Sequence, residues 1–351
     1  MSIVRVIRAG LLTTIQDPGR PGFRQFGVPS GGAMDRFSHE LANRLVGNSP
    51  SAATLEMTLS GDELEFTAET LIAIAGGDFS PVTTISAESD SLAVPQNTPV
   101  TVPAGTRIRF QTARRGCRCY LAVAGGFDVP EVMGSRATLM RAQLGGMHGR
   151  ALKSGDELSV GLSETMARVS YEADESTAIS SPTWFVRPLA LPFGDAVAVR
   201  VVRGEHFSMM SAESQARFWN ETFAITSQSD RMGYRLAAPP LTLENTSDML
   251  SEGTAVGTIQ LPPDGRPILL MADSAPTGGY RRIAHVISAD LPLAAQTRPG
   301  QSLRFIETTM EQARTAFQKQ RDDLDHAITM AGLMPGAKSA YRTRTDKRSA
   351  P

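Results

Sequence analysis

The sequence predicts an all-β protein, mainly β with a few helices, arranged as two related β domains of sandwich or barrel type. Three observations carry this. Most of the 351-residue chain consists of short alternating or apolar runs (IVRVI, LEMTL, DELEF, LIAIAGG, VTVPAG, CYLAVAGG, VAVRVV, GTIQL and PILLMA) separated by glycine, proline and aspartate, the pattern of strands punctuated by turns. An internal repeat runs in the same order through both halves: VRVIR at residues 4–8 returns as VRVVR at 199–203, RPGFR at 20–24 as RMGYR at 231–235, and PAGTRIRF at 103–110 as RPGQSLRF at 298–305. Finally, GDELEF, GTRIRF, GDELSV and GQSLRF each read as a turn that starts a strand.

Taken in order, the first half is densest in polar chemistry between residues 10 and 56. Thr13, Thr14, Gln16, Asp17 and Arg20 fall between Leu11/Leu12 and the turn formers Pro18, Gly19, Pro21 and Gly22, where a strand cannot continue. A second cluster, Gly27, Pro29, Gly31 and Gly32, leads into apolar residues at Met34, Phe37, Leu41 and Leu45, with Gly47 after them. That spacing predicts a helix over 34–46, with its stripe packed on the first β domain. A glycine-rich entry to a helix N-terminus suits an anion; equally, Gly31 and Gly32 make a tight turn and Asp35 serves the helix dipole. Cys117 and Cys119 share one strand face with Leu121 and Val123 and read as buried, inert thiols. From Val160 to Trp184 the composition shifts to Ser, Glu, Thr and Ala, with Pro182 and Pro188 following. This places a linker there, and so an N-terminal β domain over 1–180 and a C-terminal one over 190–306. The second half carries a helical candidate at 211–220. A last helix over 308–332 opens on a capping box of Thr308 and Glu311, and the polar, basic tail 336–351 is expected to be disordered.

Composition narrows function. A net charge of −1 with 20% charged residues argues against nucleic acid as a partner, since phosphate contacts need a basic surface. Absence of any run of about 18 apolar residues argues against a membrane span, and no secretory leader is evident, so the expected location is cytoplasmic. Only four of the 35 basic residues are lysine, which suits paired recognition of carboxylates or phosphates and is equally a genomic bias. The five histidines have no metal-ligand spacing, so no metal is expected. There is no Gly-Lys-Ser/Thr phosphate loop, no dinucleotide fingerprint and no nucleophile elbow; Ser274 sits in a turn. The chemistry left is turn-borne charge: Asp17, Arg20, Asp78, Arg136, Arg150, Asp230, Arg231, Arg235 and Asp273.

The runs TTIQDPGR, GVPSGGAMD, ANRLVGN, YLAVAGGFDVP, GSRAT, SDRMGYRL, SEGTAVGTIQLPPDGRPILLMAD, TGGY and RPGQSLRF, in that order across residues 10–305, resemble the biotin-dependent carboxyltransferase and allophanate hydrolase subunit 2 family, which includes the C subunit of bacterial 5-oxoprolinase. The resemblance implies cyclophilin-like β-barrel domains and a protein that works with a B subunit. In the 5-oxoprolinase members this pair and an A subunit open the lactam of 5-oxo-L-proline to glutamate using ATP with Mg. Mapped on the matching motifs, the expected catalytic residues are Asp17, Arg20 and Asp273. Substrate or nucleotide contacts are expected from Gln16, Gly31, Gly32, Asp78, Arg136, Arg150, Arg235, Thr277, Gly278 and Tyr280. The loops 13–20 and 273–280 are expected to converge on one cleft, with Arg20 or Arg235 as an anion clamp. Two other readings follow from the same family. One is the carboxyltransferase half of a biotin-dependent urea or amide carboxylase, whose biotin would sit on another chain because no Met-Lys-Met occurs here. The other is a regulatory binding protein that antagonises a kinase inhibitor.

Overall fold

Alternating strands with one apolar face must pair that face with another layer, and each half of this chain does so differently. The computed structural model describes residues 2–84, 91–162, 179–187, 194–244 and 249–333; part of the expected linker and the tail 336–351 lie outside them. In the first half the described elements are β1 (Ile3–Arg8), β2 (Leu12–Gln16), α1 (Arg36–Leu45), β3 (Thr54–Thr58), β4 (Glu63–Phe66), β5 (Thr70–Asp78), β6 (Val82–Thr84), β7 (Pro99–Val102), β8 (Arg107–Arg109), β9 (Arg115–Val123) and β10 (Glu157–Ser159). The second half adds β11 (Ala196–Arg203), α2 (Ala212–Asn220), β12 (Phe223–Ile225), β13 (Gly233–Ala237), β14 (Glu252–Gly253), β15 (Thr258–Leu261), β16 (Ile268–Leu270), β17 (Thr277–Gly278), β18 (Arg281–Val286), α3 (Leu291–Gln296), β19 (Ser302–Glu307) and α4 (Met310–Leu333). The protein is thus mostly β with a few helices, as its alternation predicts.

The first half is two five-stranded antiparallel sheets, β10-β1-β4-β8-β6 and β2-β3-β9-β5-β7. Val4, Val6, Leu64 and Phe66 of one sheet meet Leu55, Met57, Ile74 and Leu121 of the other in a shared core. The second half closes into a barrel, β11-β18-β15-β16-β13-β12-β19, which removes sheet edges; β11 joins β19 in parallel register. Phe218 of α2 stacks on Phe305 of β19, ring centroids 4.8 Å apart, within the core of the second half. The helices α1 and α4 cover the outer face of the β9/β5 sheet, where Leu41, Leu45, Leu324 and Ile328 pack on Ala73, Tyr120 and Ala122. Among the described residues no helix is long and apolar enough to cross a membrane.

Three expectations need correction. The helix predicted over 34–46 begins later, because Asp35 is its N-cap, accepting from the Ser38 amide at 2.9 Å. Met34 therefore lies outside the helical stripe and joins the core of the second half. The capping interaction of α4 falls one residue on from Thr308 and Glu311: the Gln312 amide donates to Thr309 Oγ1 at 3.2 Å while the Thr309 amide donates to Gln312 Oε1 at 3.1 Å, so the helix starts at Met310.

Candidate functional site

The two halves meet across a polar seam built on β3. Its alternation would put Thr54, Glu56 and Thr58 toward solvent, yet all five residues of TLEMT are buried. Glu56 Oε2 accepts from the Met34 amide at 2.9 Å and the Tyr120 hydroxyl at 2.7 Å. Its Oε1 takes Nη1 of Arg231, from the second half, and lies 3.8 Å from Nε of Arg118. Burial alone raises the Glu56 pKa, but Arg231, Arg118 and these donors outweigh it and hold the group below the usual carboxylate range. Arg231 also forks onto Asp273, Nε to Oδ2 and Nη2 to Oδ1 both at 2.9 Å, and donates to the Gly32 carbonyl at 2.7 Å. Alongside, Gln296 of α3 uses all four of its hydrogen-bonding positions. Oε1 accepts from the amides of Cys117 and Arg118 at 2.9 and 3.0 Å, and Nε2 donates to Asp35 Oδ2 and the Arg118 carbonyl at 2.8 and 2.9 Å. Arg118 in turn donates to the Tyr234 hydroxyl at 2.7 Å.

The repeat RPGFR/RMGYR makes Arg20 the counterpart of Arg231, and the fold brings both beside Asp273. Arg20 is fully buried. Its Nη2 donates to the Ala137 carbonyl at 2.5 Å, whereas Nε and Nη1 have no hydrogen-bond partner among the described residues. A Cβ on Gly31 would sit 3.3 Å from Arg20 Nη1 and 3.6 Å from Asp273 Oδ1, so the glycine, at φ +63°, is what lets the backbone pass between these charges. Burial lowers the Arg20 pKa, with Asp17 and Asp273 acting in the opposite sense. Asp17 itself is a brace. Oδ1 accepts from the Gly19 amide and the Ser135 hydroxyl, both at 2.7 Å, and Oδ2 from the Arg136 amide at 2.6 Å, fixing the Arg20 loop against residues 135–138. Gln16, with Nε2 bonded to Thr14 Oγ1 at 2.9 Å and the Thr138 carbonyl at 3.1 Å, ties down the same loop.

The ends of the two loops are joined through residues 30 and 31, the Arg20 amide donating to the Ser30 carbonyl at 2.7 Å and the Gly31 amide to the Ala272 carbonyl at 3.1 Å, so Asp273 lies beside Arg20 while Thr277, Gly278 and Tyr280 lie elsewhere on the barrel. Arg20, Gly31, Gly32 and Asp273 come together, with Asp17 and Gln16 supporting them. Three expected contacts are engaged elsewhere. Arg150 forks onto Asp156 at 2.7 and 2.8 Å, Arg136 turns to Glu131 at 2.5 Å, and Asp78 closes its own turn onto the Ser80 amide at 2.8 Å. Each is held by a near neighbour in sequence, which explains its turn location without a ligand. Arg235 and Tyr280 line a surface cavity of about 430 Å³ on the barrel. Thr277 and Gly278 pair with Gly253 and Glu252, and a Cβ on Gly278 would come within 2.5 Å of Gln260 Nε2. Arg235 also borders a cavity of about 350 Å³ with Arg141, Gln260 and Ser274. Here Gln260 Nε2 and Ser274 Oγ are buried without partners among the described residues. A larger groove of about 570 Å³ opens between the halves where Pro18, Ser30 and Ala272 adjoin Gly31.

Sequence reasoning missed Glu56, Arg118 and Gln296 as members of the seam. The available signal was a carboxylate inside an otherwise apolar strand and an arginine between two buried cysteines.

Residues 26–307 match the family described as carboxyltransferase domain, subdomain A and B. The chain is 38% identical over 319 residues to the C subunit of 5-oxoprolinase from Escherichia coli K12, covering 91% of this chain and 96% of that protein. It is 33% identical over 312 residues to the C subunit of 5-oxoprolinase from Haemophilus influenzae, covering 89% and 93%. The crystal structure of Kluyveromyces lactis urea carboxylase superposes with a TM-score of 0.82 at 30% identity, over 93% of this chain and 29% of that much longer one.

Proposed function

Because the chain belongs to this carboxyltransferase domain family, we propose that it is the C subunit of an ATP-dependent 5-oxoprolinase, acting with a B subunit to activate 5-oxo-L-proline and with an A subunit to release L-glutamate. The observation that carries the reading is the near end-to-end match to the E. coli protein, 96% of whose length is covered. An unactivated lactam carbonyl is a poor electrophile. Transfer of the γ-phosphoryl group of ATP to its oxygen creates a leaving group; one water then adds at the carbonyl carbon, the ring nitrogen takes a proton as the C–N bond breaks to leave an acyl phosphate, and a second water releases phosphate and the carboxylate. This demands fixed positive charge where oxyanions develop. Arg20 offers it: Nε and Nη1 are unpartnered among the described residues, while the Ala137 carbonyl and the loop braced by Asp17 hold the side chain in place. Arg231, saturated by Asp273 and Glu56, holds the neighbouring geometry rather than a ligand. Arg20 is closed from solvent in this structure, and the groove lined by Pro18, Ser30 and Ala272 borders the loop that carries it.

The test is reconstitution. The chain alone is expected to be silent; with its partner proteins it should convert 5-oxoproline to glutamate at the expense of ATP. An assembled complex whose ATP turnover ignores 5-oxoproline would overturn the proposal. The urea carboxylase likeness favours one second reading, carboxyl transfer from a biotin carrier to urea or a related amide. Bicarbonate- and carrier-dependent carboxylation of urea, without glutamate formation, would select it.

A further inference from the structure

The groove between the halves carries chemistry that the seam does not use. One wall is apolar: Met34 and Phe37 from the entry to α1, Leu291 from α3, and Phe317 from α4, a residue 44% exposed. Three guanidiniums from separate elements also line it, those of Arg24, Arg36 and Arg321. Each is held by one nitrogen. Arg24 Nη2 donates to the carbonyls of Thr254 and, at 3.1 Å, Pro276. Arg36 Nη2 donates to the Pro18 carbonyl at 3.1 Å. Arg321 Nη1 binds Glu40. Their other nitrogens have no hydrogen-bond partner among the described residues. Glu40 is the one carboxylate among the lining residues, and it is already shared by Arg321 and Arg44. His39 lines the groove as well, but burial lowers its pKa and keeps it neutral. The lining therefore presents three pre-positioned cations against one shared carboxylate, with Asp17 acting on Arg36 and Asp325 on Arg321 from outside it, beside an apolar, aromatic wall and in a volume of about 570 Å³ that suits a small molecule. Guanidiniums fixed at one nitrogen and open at the others favour a polyanion such as a phosphate chain, and exposed phenyl rings suit a flat ring system.

We propose that this groove binds a nucleoside triphosphate, its phosphates on Arg24, Arg36 and Arg321 and its base against Phe37 and Phe317. The assignment of ATP as the occupant rests on the function proposed above, whereas the demand for a polyanion with a flat apolar group rests on the groove alone. The experiment is calorimetric titration of the full chain with ATP, tripolyphosphate and adenosine, repeated on Arg36→Ala, Arg321→Ala and Phe317→Ala. All three side chains are at least partly exposed, and thermal melts check that the variants fold. Expected are tighter binding of ATP than of tripolyphosphate or adenosine, weakening on added salt, and a loss of about tenfold in ATP affinity for each variant, the size of one removed charge-assisted or ring contact. No binding of ATP by the full chain, or binding that Arg36→Ala and Arg321→Ala leave unchanged, would overturn the proposal. Tripolyphosphate binding as tightly as ATP would overturn it in favour of an inorganic polyanion. Turnover of 5-oxoproline by the assembled complex is scored separately. A complex that makes glutamate with an unaltered ATP dependence in Arg36→Ala removes the groove and leaves the function standing, while a chain that binds ATP in a complex blind to 5-oxoproline does the reverse.

Discussion

Replacing Glu56 by Gln is the sharpest probe of what holds the halves together. The carboxylate accepts on both oxygens, Oε2 from the Met34 amide and the Tyr120 hydroxyl, Oε1 from Arg231. A glutamine amide has one acceptor oxygen, so its NH2 must face either Arg231 or the Met34 amide, donor against donor. Tyr120 cannot relieve this freely, because its oxygen already accepts from the Asp35 amide at 2.8 Å. The change also removes the anion beside two buried guanidiniums, and breaking such a pair from one side costs about 3–5 kcal/mol. Spread over a cooperative unit the size of one half, that is a fall in melting temperature of roughly 6–20 °C. Urea titration at neutral pH measures it directly. The pH profile supplies a second signature. Since the folded pKa of Glu56 lies below its unfolded value of 4.5, its stabilisation is fully present above that value and is lost as pH falls through the folded pKa. His39, whose folded pKa lies below 6.5 because of burial, gives a separate loss that begins as pH drops through 6.5. In Glu56→Gln the lower step should vanish and the upper one remain. A destabilisation below about 1 kcal/mol, the size of an exposed pair, would refute the account of the seam as a buried charge network.

Other substitutions examine separate parts. Leu41, 1% exposed beneath α1, should cost about 2–5 kcal/mol when truncated to alanine; an unchanged urea midpoint would show that the stripe is not buried. Cys117 and Cys119 are buried, and burial raises both thiol pKa values, so neither should react with a thiol reagent at neutral pH until the protein is denatured. Rapid labelling of the native chain would contradict that packing. Arg20→Lys keeps the charge and removes the planar fork. The complex should still assemble and its turnover fall roughly a hundredfold, the effect of one lost transition-state donor; normal turnover per folded molecule with lost stability would make Arg20 a brace alone.

What the sequence disclosed depended on whether a residue's environment was local. Strand runs such as CYLAVAGG and GTIQL are β9 and β15, and the Asp17–Arg20 loop was recognisable because proline and glycine must end β2 just where charge accumulates. Asp78, Arg136 and Arg150 look equally charged and turn-borne, but partners a few residues away hold them. Glu56 and Arg118 were illegible for the opposite reason. In TLEMT and RRGCRCYLAV they occupy the polar phase of a period-two pattern, which reads as a solvent face. Here that face is covered by α1 and α4 together with α3, Arg231 and Tyr234 of the second half, a fact of tertiary packing that no strand of five or nine residues encodes. Met34 misled in the same way, since its spacing from Phe37 fits a helix while its side chain crosses to the barrel core.

The repeat sharpens the meaning of this asymmetry. Two copies of an Arg-x-Gly-aromatic-Arg segment deliver equivalent arginines, Arg20 and Arg231, to one carboxylate at the junction. Arg231 takes both oxygens of Asp273 and then Glu56, so its charge is neutralised and its geometry fixed. Arg20, just as buried, is left with a single carbonyl and two nitrogens unpartnered among the described residues. Desolvating a guanidinium without partners costs several kcal/mol, and simple bracing would be served better by an apolar side chain filling the same volume. The arrangement makes physical sense if the saturated arginine positions the junction and the unsaturated one keeps its donors in reserve for an oxyanion. It also explains why Gly31 and Asp273 flank Arg20: the glycine leaves room beside Nη1, and the carboxylate, turned toward Arg231, orients the site without quenching the second charge.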